Sequence, residues 1–297
     1  MGVIELKNVY KDIGEFSLGP INVEIPYGSI VAIVGDNGAG KSTLIKTIQG
    51  LAKETSGEVF LFGERRKLDD ESWRNRIAYQ SQTLKGCDRF TGKDLHQLIS
   101  HYSMTFNEEA FERYVKDLDI PLNKPFINLS EGVRKKLNLA LTFAQNKELF
   151  IMDEPTAHLD MMAQRYVMDE IVRLMEADSE RTILFASHQL DDIRKLADYI
   201  LLIRKGNFLG MYEKDELTLM YRRYWLDTEV TSAFPGVVKI SQQGREIISN
   251  NPQLTEQAFM QKGIHIIQKS NIDLDDILPW LLSGEIKLKD EKQLVNW

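Results

Sequence analysis

Short apolar runs alternate along this chain with longer stretches in which apolar residues recur every three or four positions. The runs fall at residues 3–9, 21–25, 30–34, 59–62, 149–152, 183–185 and 199–203. Rich in Ile, Val and Phe, they predict buried strands, and the helical stretches between them predict an α/β core with a largely parallel sheet from Val3 to Gly210. Between about Cys87 and Asn146 the strand signal lapses into mostly helical sequence, for example 107–118 and 131–144, and an insertion of helices into the core is the simplest account. Past 213–223 the pattern changes again. Residues 237–240, a Gln243-Gly244 turn and Ile247-Ile248 predict a hairpin. A helix over about 252–262 is framed by Pro252 near its start and Gly263 just past its end. A strand over 263–267 and a last helix over 273–282 complete a small α+β domain. The expected division is thus 1–216 and 217–297, with no internal repeat and no low-complexity linker.

Composition narrows the setting. The chain has 297 residues, 43% of them hydrophobic, with 13 Phe and 4 Trp, enough for one large or two smaller cores. No apolar stretch approaches the length of a bilayer span, and the first residues (MGVIELKNVYKD) lack the apolar region of a signal peptide. The single cysteine, Cys87, has no partner for an internal disulfide and suits a reducing compartment. A net charge of -7 gives no global attraction to nucleic acid or anionic lipid, so no nucleic-acid partner is expected. The expected location is cytoplasmic, unless something else tethers the chain.

The chemistry is concentrated in residues 35–43, Gly-Asp-Asn-Gly-Ala-Gly-Lys-Ser-Thr. This is the G-x-x-x-x-G-K-[ST] phosphate-binding loop, with a predicted strand before it and a predicted helix over 42–51 after it, the context the motif requires. Gly35, Gly38 and Gly40 carry no side chain to hold backbone N–H groups away from phosphate oxygens. Asp36, Asn37, Ala39 and Thr43 complete the loop, and the helix points its positive dipole end into the same space. Lys41 is placed to reach the β- and γ-phosphates, and the Ser42 hydroxyl to ligate Mg²⁺. A second motif, residues 149–155 (Leu-Phe-Ile-Met-Asp-Glu-Pro), is an apolar strand ending in acids. Asp153 takes the place of the acid that holds Mg²⁺. Glu154, next in the chain, alternates off the strand toward the γ-phosphate, where a carboxylate can deprotonate an attacking water.

Further landmarks, in order, resemble the ATP-binding cassette (ABC) superfamily. Gln82 in Ile77-Ala78-Tyr79-Gln80-Ser81-Gln82 matches its Q-loop, and Leu129-Ser130-Glu131-Gly132-Val133 its signature, usually written LSGGQ. Ala157-His158-Leu159-Asp160 matches its D-loop, and His188 in Phe185-Ala186-Ser187-His188 its switch histidine. The resemblance covers about residues 3–213. It implies a P-loop NTPase core with an antiparallel β subdomain and a helical signature subdomain over about 87–146. It also implies two cassettes joined head to tail, with two ATP molecules at the seam. The signature of one chain, through Ser130, Gly132 and the start of a helix over 131–144, then caps the nucleotide on the P-loop of the other. Asp160 joins the nucleotide-binding set, Gln82 senses the metal and water, and His188 hydrogen-bonds the γ-phosphate and orients Glu154.

The sequence departs from the family pattern in places. Glu131 replaces the first signature Gly, where a carboxylate near an anion would slow closure, and Val133 replaces the Gln. The aromatic residue that stacks on adenine has no clear counterpart; Ile13 falls nearest, with Phe16 and Tyr10 as neighbours. A single P-loop without long coiled-coil heptads resembles a separate transport ATPase subunit working with an integral-membrane permease. The C-terminal segments resemble the tail of ATPase subunits from drug- and polysaccharide-type exporters. The implied function is MgATP hydrolysis that drives export, from the inner face of the membrane. The second cassette is either another copy or a different chain. An importer ATPase, or a soluble ABC ATPase acting on nucleic acid or ribosomes, stands as an alternative.

Overall fold

A computed structural model describes residues 2–67, 69–70, 72–231 and 234–286; the end of the expected C-terminal domain, 287–297, lies outside them. The chain begins with β1 (Ile4–Ile13), β2 (Phe16–Ile25), β3 (Ile30–Val34), α1 (Lys41–Ile48), β4 (Ser56–Leu61), β5 (Glu64–Arg65) and β6 (Ile77–Gln80). Helices α2 (Gly92–Tyr102), α3 (Glu108–Asp117) and α4 (Glu131–Ala144) follow, then β7 (Leu149–Asp153), α5 (Met161–Ala177), β8 (Thr182–Ala186) and α6 (Leu190–Leu196). The remainder comprises β9 (Tyr199–Arg204), β10 (Asn207–Glu213), α7 (Lys214–Met220), β11 (Arg222–Leu226), β12 (Val237–Ile240) and β13 (Glu246–Ser249). Last come α8 (Pro252–Lys262), β14 (Ile266–Asn271) and α9 (Leu274–Ser283).

The central sheet has the order β10-β9-β3-β8-β7-β6. All its neighbours run parallel except the β10–β9 edge pair. Every residue of β3, β7 and β8 is buried, as expected of parallel strands covered on both faces. Alternation along β3 assigns its two faces. Val31 and Ile33 pack with α1 and the antiparallel sheet β2-β1-β4-β5, whereas Ile30, Ala32 and Val34 face the core shared with the helices.

The helical insertion is anchored by α4, whose Leu137, Leu139, Ala140 and Leu141 are buried. Tyr114 of α3 sets its ring against Phe143 and donates its hydroxyl to Glu170 Oε1 of α5 at 2.6 Å. Burial, then that carboxylate, pushes the Tyr114 phenol above its ordinary range. Arg113 and Arg173 also bond Glu170, so this buried acid fastens the helical insertion to the core with its charge matched.

A third sheet, β12-β13-β11-β14, is antiparallel. It packs on α8 through Tyr224, Leu226, Ile247 and Phe259. The apolar face of α9 turns the other way: Leu274, Ile277, Leu278 and Leu281 join the main core beside Leu217 and Tyr221.

Elements outside the expected pattern have polar or exposed positions in common. β6 is only four residues long, β10 holds exposed Asn207 and Glu213, and β11 opens on Arg222-Arg223. The strand expected over 263–267 lies three residues further on, because Gly263, at φ 68°, is spent capping α8. β14 is an edge strand, and its Gln268, Lys269 and Ser270 carry no apolar signal. The helix expected over 42–51 stops at Ile48, where Gly50 takes a positive φ of 67°.

Candidate nucleotide site

The loop between β3 and α1 is shaped by its neighbours. A Cβ on Gly35 would stand 2.3 Å from the Ile203 carbonyl oxygen, so β9 leaves room only for glycine there. Gly38 has φ 79° and open space around it; Gly40, at φ 115°, precedes α1 without a side-chain cap. The first N–H groups of α1 are therefore left for a ligand, beside the helix's positive end. Ala39 is buried and braces the loop from behind, its carbonyl accepting from Gly206 N at 2.9 Å. Lys41 lies across the loop, donating from Nζ to Gly35 O at 2.7 Å and Asp36 O at 3.3 Å.

In front of the loop lies a cavity of about 400 Å³. Asp36, Asn37, Gly38, Gly40, Lys41, Ser42 and Thr43 line it on one side, and Gln82, Asp153 and Glu154 on the other. Asp153 ends β7 and is buried. Glu154 then turns out of the strand at φ 52°, a conformation that costs a non-glycine residue about 1–3 kcal/mol and gathers at functional sites. Its N–H bonds Ala186 O at 2.9 Å, and its Oε2 lies 2.8 Å from His188 Nδ1. Ile13 and Phe16 line the cavity as well, and Phe16 lies against Gly40, with its Cζ 3.1 Å from where a Cβ would sit. Tyr10 is not in the lining.

The donor set fits Mg²⁺. Ser42, Gln82 and Asp153 bring hydroxyl, amide and carboxylate oxygens to one cavity, which suits a hard cation that keeps phosphate oxygens and waters as its other ligands. Among the described residues no group of three or more His, Cys, Asp or Glu could hold a metal by itself.

Three expected site residues are elsewhere. Ser130 is exposed, at the N-cap of α4, where Oγ accepts from Val133 N at 3.4 Å. Gly132 abuts the other predicted loop: a Cβ there would be 2.9 Å from His158 O. Asp160 caps α5 and pairs with Lys136 at 3.1 Å. Its carboxyl is held below the ordinary range by the Ala163 N–H and then by Lys136. None of the three lines the cavity of its own chain.

The sequence reading missed two residues at this junction. Lys135 is buried behind the site and donates from Nζ to Asp153 O at 3.2 Å. Burial pushes its ammonium down to about 8, against the pull of Asp153 and Glu154. His158 pairs with Glu131 at 3.4 Å. One signal for the first was available: Lys135, Asn138 and Thr142 form a polar stripe at i, i+3 and i+7 on a helix otherwise apolar toward the core.

The family profile described as ABC transporter matches residues 18–157. A putative ABC transporter ATP-binding protein of Archaeoglobus fulgidus is 34% identical over 214 residues, covering 68% of this chain and 86% of that protein. The chain belongs to the ABC transporter family. The ABC transporter ATP-binding protein YtrB of Bacillus subtilis is 29% identical, over 78% of this chain and 80% of its own length. Relatives named for different tasks also match. The bacitracin transport ATP-binding protein BcrA of Enterococcus faecalis is 28% identical (75% of this chain, 73% of its own), and the iron(3+)-hydroxamate import protein FhuC of Bacillus subtilis 29% (64% and 74%). The chain spans only 12% of the ATP-binding cassette sub-family A member 2 protein of Rattus norvegicus, at 28% identity over 93% of this chain. A solved structure described as the ATP-binding subunit of an ABC transporter superposes with a TM-score of 0.65 at 25% identity, covering 73% of this chain and 92% of that one. As an ABC ATPase the chain binds ATP with Mg²⁺ and hydrolyses it as a transporter subunit; such cassettes dimerise and work with membrane permeases. Among the described residues no helix is long and apolar enough to cross a membrane.

Proposed function

We propose that this ABC ATPase drives export through a separately encoded permease, as one of two cassettes that close head to tail around two MgATP molecules. The observation that carries the shared-site reading is the placement of Ser130. The exposed N-terminus of α4, with Ser130 and Gly132, has no phosphate-binding loop of its own chain in front of it. Its free N–H groups and dipole would meet a γ-phosphate held by the second cassette. Asp160, beside it through Lys136 of α4, belongs to the same seam.

Within one site, residues 35–43 hold the phosphates and Lys41 moves from the loop carbonyls onto the β- and γ-oxygens. Ser42, Asp153 and Gln82 hold Mg²⁺, which when bound offsets phosphate charge. Glu154 takes a proton from water as the water oxygen attacks the γ-phosphorus, the bond to the β–γ bridging oxygen breaks, and ADP departs with that electron pair. His188, in contact with Glu154, orients the carboxylate.

The C-terminal region, which we assign as an accessory domain over 217–297 beside a nucleotide-binding domain over 1–216, bears on the direction of transport. Among the described residues its sheet is open, four-stranded and flanked by helices rather than a closed OB-type barrel, which favours an exporter subunit over that importer type. The subunit would sit peripherally on the inner face of the cell membrane. Expression with and without a candidate permease tests this. The chain should sediment with membranes only when the permease is present, and inverted vesicles should accumulate solute on adding MgATP. ATP-driven discharge would indicate an importer; partition with ribosomes or nucleic acid despite the permease would indicate the soluble class.

A further inference from the structure

The helix that begins at Ser130 is tied to its own chain's site by two buried polar contacts one turn apart. Lys135 donates to the main-chain oxygen of Asp153 at 3.2 Å, at the point where β7 ends and Glu154 turns away. Asn138 donates from Nδ2 to Ser81 O at 3.0 Å, in the segment leading from β6 to Gln82. Both side chains are buried, with 5% and 6% of their surface exposed. A lysine in that position is not needed for helix packing, since an apolar side chain of the same length would fill the space without the cost of burying an ammonium. What it adds is a directional link to the peptide that separates the metal-binding acid from the proposed base.

The geometry points to Lys135 as a positioning residue that couples the two shared sites: with Asn138, it makes α4 move as one piece with the Asp153–Glu154 turn and the Gln82 segment. The inference rests on the shared-site reading. When Ser130 engages the phosphates of the opposite site, the displacement of α4 passes through Lys135 to Glu154 and through Asn138 to Gln82, so closure at one nucleotide sets the base at the other. Lys135 is not in the lining of the nucleotide cavity. Its replacement therefore acts on turnover and on cooperativity between sites, not on nucleotide affinity. Loss of a comparable supporting contact behind a metal site costs about 10–100-fold in activity.

Lys135→Met keeps the length of the side chain and removes the donor, while Lys135→Gln keeps a donor without the charge. Steady-state ATPase rates across MgATP concentration, nucleotide binding and ATP-dependent dimerisation by light scattering are measured for the wild type and both variants. The expected result is that Lys135→Met binds MgATP and dimerises like the wild type, yet loses about tenfold or more in kcat and brings the Hill coefficient toward one. Lys135→Gln should recover most of both. Turnover and cooperativity unchanged in Lys135→Met, affinity lost together with turnover, or no recovery in a folded Lys135→Gln would each overturn the inference. Should Lys135→Met fail to fold, Asn138→Ala gives the same test, with an expected fall in the Hill coefficient and an unchanged one counting against the coupling. A wild-type chain that stays monomeric with MgATP, both alone and with a co-expressed partner cassette, overturns the shared-site reading itself, whereas normal dimerisation with normal turnover in Lys135→Met overturns only the coupling.

Discussion

Replacing Glu154 by Gln changes one atom type and little else. The amide has the shape of the carboxylate, so the φ of 52° at this turn, the N–H bond to Ala186 O at 2.9 Å and the contact with His188 can all persist. Lys41 bonds Gly35 O and Asp36 O rather than Glu154, so the phosphate loop is untouched. What disappears is the capacity to accept a proton from water. Glu154 is buried, with 7% of its surface exposed, so bulk solvent is a poor substitute for the missing base. General-base assistance contributes about 10²–10⁴-fold. The variant should therefore hydrolyse ATP at least ~100-fold more slowly, equivalent to ~2.7 kcal/mol or more on the barrier at 1.36 kcal/mol per tenfold. Phosphate release gives the rate, nucleotide titration gives the affinity, and light scattering gives the assembly state. MgATP affinity should stay near wild type, and an ATP-bound dimer should accumulate because closure outlasts chemistry. Turnover within tenfold of wild type would place the base elsewhere and refute the reasoning.

Lys41→Ala should weaken MgATP binding, and ATP-driven dimerisation with it, because Lys41 supplies the only side-chain cation of residues 35–43; unchanged affinity in a nucleotide titration would show that the loop is not the principal site. Leu278→Ala in α9 tests whether the C-terminal helix shares the ATPase core: removing a fully buried Leu costs about 2–5 kcal/mol. In thermal unfolding followed by nucleotide binding, that should lower the Tm of the cassette itself by at least about 4 °C. A cassette transition left in place while another shifts would mean that the two regions melt apart.

How much of this was legible in the sequence depends on how locally each feature is written. Residues 35–43 and 149–155 are contiguous, and their chemistry follows from residue type and flanking strands, so the loop, Asp153 and Glu154 were all placed on one cavity without a structure. Gln82 and His188 needed the resemblance to the family, since a lone Gln or His after a strand carries little information. The convergence of Phe16 on Gly40 and of Lys135 on Asp153 depends on how separate elements pack: the polar stripe of α4 marks Lys135 but not its partner, and no local pattern marks Phe16. Strands β10 and β11 escaped, and β14 was expected three residues too early, because edge positions admit Asn, Arg, Lys and Gln, which blunt the apolar signal. The apolar residues of α9 announced a helix but not the partner surface: Leu274, Ile277, Leu278 and Leu281 are buried against the main core rather than the small sheet's own.

The claim that two chains share each site is tested most directly by mixing two disabled chains. Ser130→Arg should put a bulky cation where the start of α4 meets phosphate, leaving nucleotide binding by the isolated chain intact but abolishing ATP-driven dimerisation and most turnover. Lys41→Ala disables the opposite half of the site. In a mixed dimer, one site carries both lesions and the other carries neither, so ATPase activity should return when the two inactive proteins are combined. A double variant carrying both changes, paired with wild type, places one lesion in each site and should be less active than the mixture. If isolated mixed dimers of the double variant with wild type are more active than those of the two single variants, signature and phosphate loop do not act across the dimer, and the shared-site account is contradicted.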